Sequence, residues 1–536
     1  MKKLWHILLL SLTSLVHTQA QPQTLNTDIV VYSGVPCGIA AAITAAREGA
    51  SVILIEPEKH VGGLSTSGIN TAESEHMLKW TIGGFSDEFY PRLGTHYGTN
   101  QPEYYFESSV AQKTYDAMLA ETKVDIRYGA SVTQVHKTGP RITHITLTDG
   151  TIINAKQFID ASYEGDLMAR AGVSYTIGRE SKAQFNEEAA GIRFDKTPRT
   201  ARTTDDSGNL LPGISGWAKD YTEGDAHPAP MNYNFRLTVA KDPNLQVPIP
   251  APKNYDPNRY AILAHWFRDQ TAKNKPTKLD NILDLYKRRN GKFELNNKQA
   301  AVISLGHFGG QFTWSDASYD QRKTIYNDHL DYTLGLLHFL ASDPAVPTHV
   351  QDEMKSLGLH KDEFTDNHHL PYQLYVREAR RMIGETIVTQ HDVTTDRRKS
   401  DTIGNSSHFI DSHHVQRLAL SPTEFINEGR IWRMGYAYQI PYRSLTPKAE
   451  QTTNLLVPCA ASFTHVAFCT LRLESVWMIT GQAAGLAAQQ AIKEEVPVQS
   501  INIQALQEKL RQQNQVIDFI PGQPEKATDL NGPPEF

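Results

Sequence analysis

Residues 27–67 constrain the fold of this chain more than any other stretch. They read Thr27-Asp-Ile-Val-Val-Tyr-Ser-Gly-Val-Pro-Cys-Gly38, then an alanine-rich run to Glu48-Gly49, then Ser51-Val-Ile-Leu-Ile-Glu56 and His60-Val-Gly-Gly63. Ile29 to Tyr32 is an apolar, β-branched run suited to a strand buried on both faces. Pro36 suits a first helical turn, where an N–H has no partner anyway. The Ala-rich run Ile39 to Arg47 predicts a helix that packs close to a sheet, and Gly49 stands where a left-handed terminator belongs. A second apolar strand follows and ends on Glu56. Strand, glycine turn, helix, strand and acid is the order of a dinucleotide-binding βαβ unit, which sets an α/β fold class with a parallel sheet.

The chemistry of the unit is specific. A helix N-terminus offers free N–H groups and a positive dipole to a pyrophosphate. Glu56 lies 18 residues after Gly38, the spacing at which a carboxylate meets a ribose hydroxyl. The three glycine places of G-x-G-x-x-G fall on Ser33, Val35 and Gly38, so only the third holds glycine. Val35 stands where the backbone approaches the pyrophosphate most closely.

The remainder of the 536 residues allows two to three domains. With 40% hydrophobic and 21% charged residues the composition is globular, and a net charge of −6 without a long basic run gives no reason to expect nucleic acid. Lys2 and Lys3 precede a Leu-rich run to Val16, and Thr18-Gln19-Ala20 supplies small residues for cleavage. This pattern predicts a secretory signal peptide over 1–20, no membrane span in the mature chain, and a periplasmic or secreted protein starting near Gln21. Cys37, Cys459 and Cys469 are too few for a disulfide framework; the last two could pair, but buried thiols are the simpler reading. No His/Cys cluster has metal-ligand spacing, so no metal is expected.

Strands are expected at Val124 to Tyr128, Val132 to Val135, Ile142 to Leu147 and Gln157 to Ala161, with Asp149-Gly150 as a hairpin turn. The organisation expected is a first nucleotide-binding part over 21–178, an inserted α+β substrate or cap domain over 179–400, a second nucleotide-binding part over 401–495, and a helix with an irregular tail over 496–536. Within the insertion Arg322 to Leu340 is helical, whereas Leu374 to Arg381 reads as a strand. Near the C-terminus, Asn454 to Val457 is a strand, and Gly481-Gln-Ala-Ala-Gly485 reads as a helix start made only of small residues on one face.

Four segments together resemble one family: Asp28 to Gly68, Phe158 to Leu167, Leu374 to Arg381 and Asn454 to Ala488. They are similar to secreted bacterial FAD-dependent oxidoreductases of the glutathione-reductase-like flavoprotein superfamily, some of whose members carry loose labels such as xanthan lyase. The resemblance implies that Gly34, Pro36 and Gly38 hold the pyrophosphate of FAD and Glu56 its adenosine ribose. It further implies that Gly62 and Gly63 approach the pyrophosphate or ribityl chain, that Val132 lies by the adenine, and that Asp160 and Ala161 close the site. Gly481, Gln482, Ala483 and Gly485 would aim N–H groups at the pyrimidine edge of the flavin.

Flavin chemistry also needs a group that moves a proton and a clamp for the substrate. His465, Arg377, Arg381 and Arg472 are the candidates, an arginine being suited to a carboxylate or carbonyl. The alternative for the Arg377–Arg381 run is an internal salt-bridge network. His60 could tether the flavin or support it from behind. The expected activity is hydride transfer between FAD and a small, possibly carbohydrate-derived molecule, with an external electron acceptor or donor. A polysaccharide lyase or hydrolase, or a non-enzymatic carbohydrate-binding protein, are the alternatives.

Overall fold

The computed structural model describes residues 23–527, apart from 72, 73, 75, 76 and 434. The signal-peptide expectation falls outside the described residues. Among them no helix is long and apolar enough to cross a membrane, and no group of His, Cys, Asp and Glu is gathered as a metal site.

The βαβ unit forms from the residues expected. Strand β1 (Thr24–Tyr32) leads through helix α1 (Pro36–Arg47) to β2 (Val52–Glu56). β1 pairs in parallel with β2 on one side and with β6 (Ile152–Asp160) on the other, so it is the centre of the sheet. This explains its uniform run of Ile29, Val30 and Val31, all fully buried. β3 (Asp125–Tyr128) extends the parallel edge beyond β2. β4 (Val132–Thr138) pairs antiparallel with β5 (Arg141–Leu147), and β5 turns through the expected Asp149-Gly150 hairpin to pair antiparallel with β6. The sheet gains a last parallel strand far along the chain, β7 (Leu455–Leu456), which lies against the C-terminal half of β6.

A short helix α2 (Asp166–Arg170) follows β6. The chain then leaves this sheet and builds a separate five-stranded antiparallel sheet in the order Gln246–Val247, Gly358–His360, Leu237–Ala240, Lys292–Asn297, Leu283–Lys287. The long helix α3 (Tyr319–Ser342) belongs to this insertion; Ser318 caps it and Gln321 returns the bond. Leu374 to Arg381 is not the strand its alternation suggested. It is a buried irregular ribbon whose only ladder pairs among the described residues are Tyr375 with Asn234 and Arg381 with Thr176. Its side chains alternate because both sides of the ribbon are covered.

Two helices close the nucleotide half, α4 (His465–Leu471) and α5 (Glu474–Glu494). α5 lies directly on α1. A methyl group added at Gly481 would sit 2.1 Å from the Cys37 carbonyl oxygen, and one at Gly485 would sit 2.4 Å from that of Ala41. The two glycines therefore let one helix backbone rest on the other.

Candidate active site

The C-terminal ends of β1, β2 and β6 open on a cavity of about 550 Å³, where an open parallel sheet binds its ligand. Ser33, Val35 and Glu56 line it from the nucleotide side. The turn between β1 and α1 explains the broken glycine pattern. Ser33 takes φ +80, the left-handed conformation for which glycine is the usual choice. Val35 is extended at φ −69 and ψ 167, so a side chain is tolerated there. Gly38 alone has no substitute, because a Cβ would lie 1.9 Å from the Ser33 carbonyl oxygen. No side chain caps α1 and Pro36 occupies its first turn, which leaves first-turn N–H groups for an anion.

Glu56 is 1% exposed at the end of β2. Its Oε2 accepts from the Gly34 N–H at 2.6 Å and its Oε1 from the Glu58 N–H at 2.8 Å. Burial outweighs these two bonds and raises the carboxyl to about 8. Gly62 donates its N–H to the Gly34 carbonyl at 2.7 Å, which folds the Gly62-Gly63 turn against the first loop. Asp160 serves the loop after β6: it accepts from the Ser162 N–H and hydroxyl and from the Met168 N–H, while Ala161 donates to the Tyr32 carbonyl. Burial also raises Asp160, to about 6.

One sequence expectation is overturned by this geometry. Gly481 to Gly485 is not a helix start. It lies well inside α5, which begins at Glu474, so its N–H groups are spent within the helix. Gln482 turns to Phe85 and Gln513 instead, and Ala483 is core. The signal of small residues was real, but it records helix-on-helix contact rather than ligand contact. At the true start of α5, the Glu474 carboxyl accepts a bond from the Tyr163 hydroxyl, which in turn accepts from the Leu64 N–H just after Gly63. Burial raises Glu474 to about 8. Tyr163 lines the cavity; nothing in the spacing of Ser162-Tyr-Glu-Gly-Asp166 marked it beforehand.

The predicted catalytic residues gather in a second, buried cluster behind the cavity-lining Leu374 and Val376. Arg381 is fully buried and donates to Glu378, to Glu180 at 2.6 Å and to the Phe463 carbonyl at 3.0 Å. The His465 Nδ1 faces both Glu378 oxygens at 2.9 Å. Burial opposes a charge on the imidazole, but Glu378 and then Cys469 prevail and hold it at about 10. Arg472 pairs with Asp411 at 2.8 Å and donates to the Tyr375 hydroxyl at 3.0 Å, and Arg377 stacks over the Tyr375 ring at 4.2 Å.

Ser412 stands 3.0 Å from His465 Nε2, which completes a Ser–His–Glu line with Glu378. It is not a hydrolytic triad. The Ser412 hydroxyl donates to the Gly429 carbonyl at 3.0 Å rather than to the imidazole, and the Glu378 carboxylate raises the imidazole, which opposes its service as a base. Among the predicted site residues, Glu56 lines the cavity itself; Gly34, Pro36, Gly62, Val132 and Ala161 stand one or two residues from those that do. His60 also lines it, with Nε2 on Asp366 at 2.6 Å and its ring against Tyr372. All three cysteines are free and buried.

The model of the FAD dependent oxidoreductase family matches residues 28–510. The chain belongs to this family. It is an FAD-dependent oxidoreductase, and the uncapped α1 turn, the bare Gly38 backbone and the buried Glu56 carboxyl fit the pyrophosphate and ribose of that cofactor. No curated protein sequence matches the chain. Among solved structures, a geranylgeranyl bacteriochlorophyll reductase-like protein from Thermoplasma acidophilum is similar at 12% identity over 92% of this chain and 85% of that one, with a TM-score of 0.34. The thioredoxin reductase of T. acidophilum matches at 22% identity over 25% of this chain and 34% of its own, at 0.18. The L-proline dehydrogenase of P. horikoshii matches at 16% over 30% and 26%, also at 0.18. The chain thus spans about a third or less of the last two, and the family match carries the assignment.

Proposed function

We propose that this flavoenzyme works outside the cytoplasm and moves a hydride between FAD and a small organic molecule bearing a carboxylate or carbonyl, such as a sugar-derived acid. The observation that supports the reading most is the convergence of Arg377 and Arg472 on Tyr375, the residue between cavity-lining Leu374 and Val376. Both guanidinium groups are buried behind the Leu374 to Val376 stretch that lines the cavity, and in this reading they come to serve an anionic or polarised oxygen when substrate is bound. In this proposal Arg377 and Arg472 orient the substrate, while Arg381, Glu378 and His465 hold the ribbon in place. FAD, when bound at the α1 turn and Glu56, supplies the ring that takes or gives the hydride. The lysine-rich and Leu-rich first twenty residues support export, and an outside carrier would complete the electron cycle.

The purified mature protein should be yellow, and its N-terminus by mass spectrometry should lie near Gln21. Under anaerobic conditions a panel of sugars, sugar acids and amino acids should contain one member that bleaches the flavin. Arg377→Lys or Arg472→Lys should remove the bleaching and leave the flavin in place. Cytoplasmic retention of the full chain would end the location proposal. Undiminished bleaching in both variants would remove the arginines from it.

A further inference from the structure

The cavity has a roof that the nucleotide-binding half does not supply. Tyr319, Arg322, Lys323, Tyr326 and Asn327, all from α3 of the insertion, line it. Their spacing of three and four residues puts them on one face of the helix. Two contacts pin that face down at the adenosine end. The Tyr319 hydroxyl donates to the Val132 carbonyl at 2.9 Å and stands 3.1 Å from the Tyr32 hydroxyl at the tip of β1. Arg322 is buried and grips both oxygens of Asp166 at 2.6 and 3.0 Å, with its remaining bonds to the Trp314 and Ser315 carbonyls.

The direction of the cofactor follows from the fold. A pyrophosphate at the start of α1 and a ribose at Glu56 send the adenine past the end of β2, toward β3 and the start of β4. Ser131 lines the cavity there, beside Val132, whose carbonyl Tyr319 already holds. We propose that Tyr319 is a cofactor-binding residue that covers the adenosine of FAD. Arg322 is the positioning residue that fixes α3, and with it Tyr319, over the site. The insertion is thus part of the dinucleotide site, and it favours FAD over a flavin mononucleotide that has no adenosine to cover.

The test uses the full mature enzyme stripped of flavin and titrated with FAD or FMN, following the quenching of flavin fluorescence. Tyr319→Ala should raise the Kd for FAD about tenfold and leave that for FMN unchanged. Tyr319→Phe keeps the ring and removes only the hydroxyl; it should weaken FAD about threefold. Arg322→Lys should weaken FAD and speed its release, again sparing FMN. An unchanged Kd for FAD in the two Tyr319 variants would overturn the proposal. So would an equal loss of FAD and FMN, which would mean that the variants merely open the site. Should Tyr319→Ala fail to fold, the isosteric Tyr319→Phe decides the matter alone by the same readings.

Discussion

Glu56 and Glu378 are both buried carboxyls in polar surroundings, yet their neighbourhoods are opposites. Glu378 is saturated from within: Arg381 and His465 supply two cationic partners, and its carboxyl is held below the usual range even though burial pushes it up. Among the described residues Glu56 receives two backbone N–H groups and no cation, faces a cavity and is driven up to about 8. An ionic group whose partners are all internal is holding structure together. A buried carboxyl left short of partners at the edge of a cavity is a place for a ligand. By this comparison Arg381 belongs to the framework, and so does Arg377 as it stands, its guanidinium donating to the Asn232 carbonyl and the Asn234 amide oxygen; Arg377 meets substrate only by exchanging one of these bonds.

The comparison breaks most readily at Glu378. Glu378→Gln leaves a buried guanidinium and a buried imidazolium without their shared anion, and should cost about 3–5 kcal/mol in urea unfolding at pH 7. The sign of the pH dependence is fixed. His465 is raised from 6.5 to about 10, so its contribution is complete below 6.5 and disappears as the pH rises through about 10. The gap between wild type and variant should narrow over that window; a gap independent of pH would show that the imidazole is not charged. Gly481→Ala comes next. Alanine normally stabilises a helix interior, but here the methyl meets the Cys37 carbonyl, so a loss of about 1–3 kcal/mol is expected, with weaker FAD binding because α1 is displaced.

Glu56→Gln sharpens the comparison from the other side. The flavin-free protein should unfold at a temperature no lower than wild type, while its Kd for FAD rises roughly tenfold. A carboxyl raised from 4.5 to about 8 lends stability that is whole below 4.5 and lost as the pH climbs through about 8. The thermal midpoint of the flavin-free wild type should therefore fall across that range more steeply than the variant's. The smallest effect is expected at His60, whose pairing with Asp366 is partly open to solvent. His60→Gln should change stability by less than about 1 kcal/mol, and acid precipitation should release the flavin from wild type into the supernatant. Flavin retained in the pellet would instead reveal a covalent tether.

The βαβ unit was legible because its constraints are local. Gly38 answers to Ser33 in the same turn, and Ile29 to Tyr32 and Glu56 answer to partners within the one βαβ unit, and the strands and helix formed where those residues placed them. Ser33 looked like a defect in the glycine pattern and proved to be a serine in a glycine's conformation. The C-terminal glycines misled for a physical reason. Small residues on a helix face signal close approach of something, and sequence does not say whether that is a ligand or another helix. The ribbon at Leu374 to Arg381 misled in the same way, since alternation reports two environments and not a ladder. Tyr163, Tyr319 and Arg322 were invisible because each acts across more than a hundred residues of chain, on Glu474, Val132 and Asp166.

The seating of α5 on α1 also governs the order in which the molecule can be made. The alanine face of α1 has no cover until residues 481–485 exist, and β6 lacks its last neighbour until Leu455 is reached. A chain leaving the ribosome therefore carries its completed βαβ unit for some four hundred residues with one flank bare. Such long-range closure makes folding slow and nearly all-or-none for this half, and truncation before α5 should yield a chain that aggregates rather than a smaller flavoprotein.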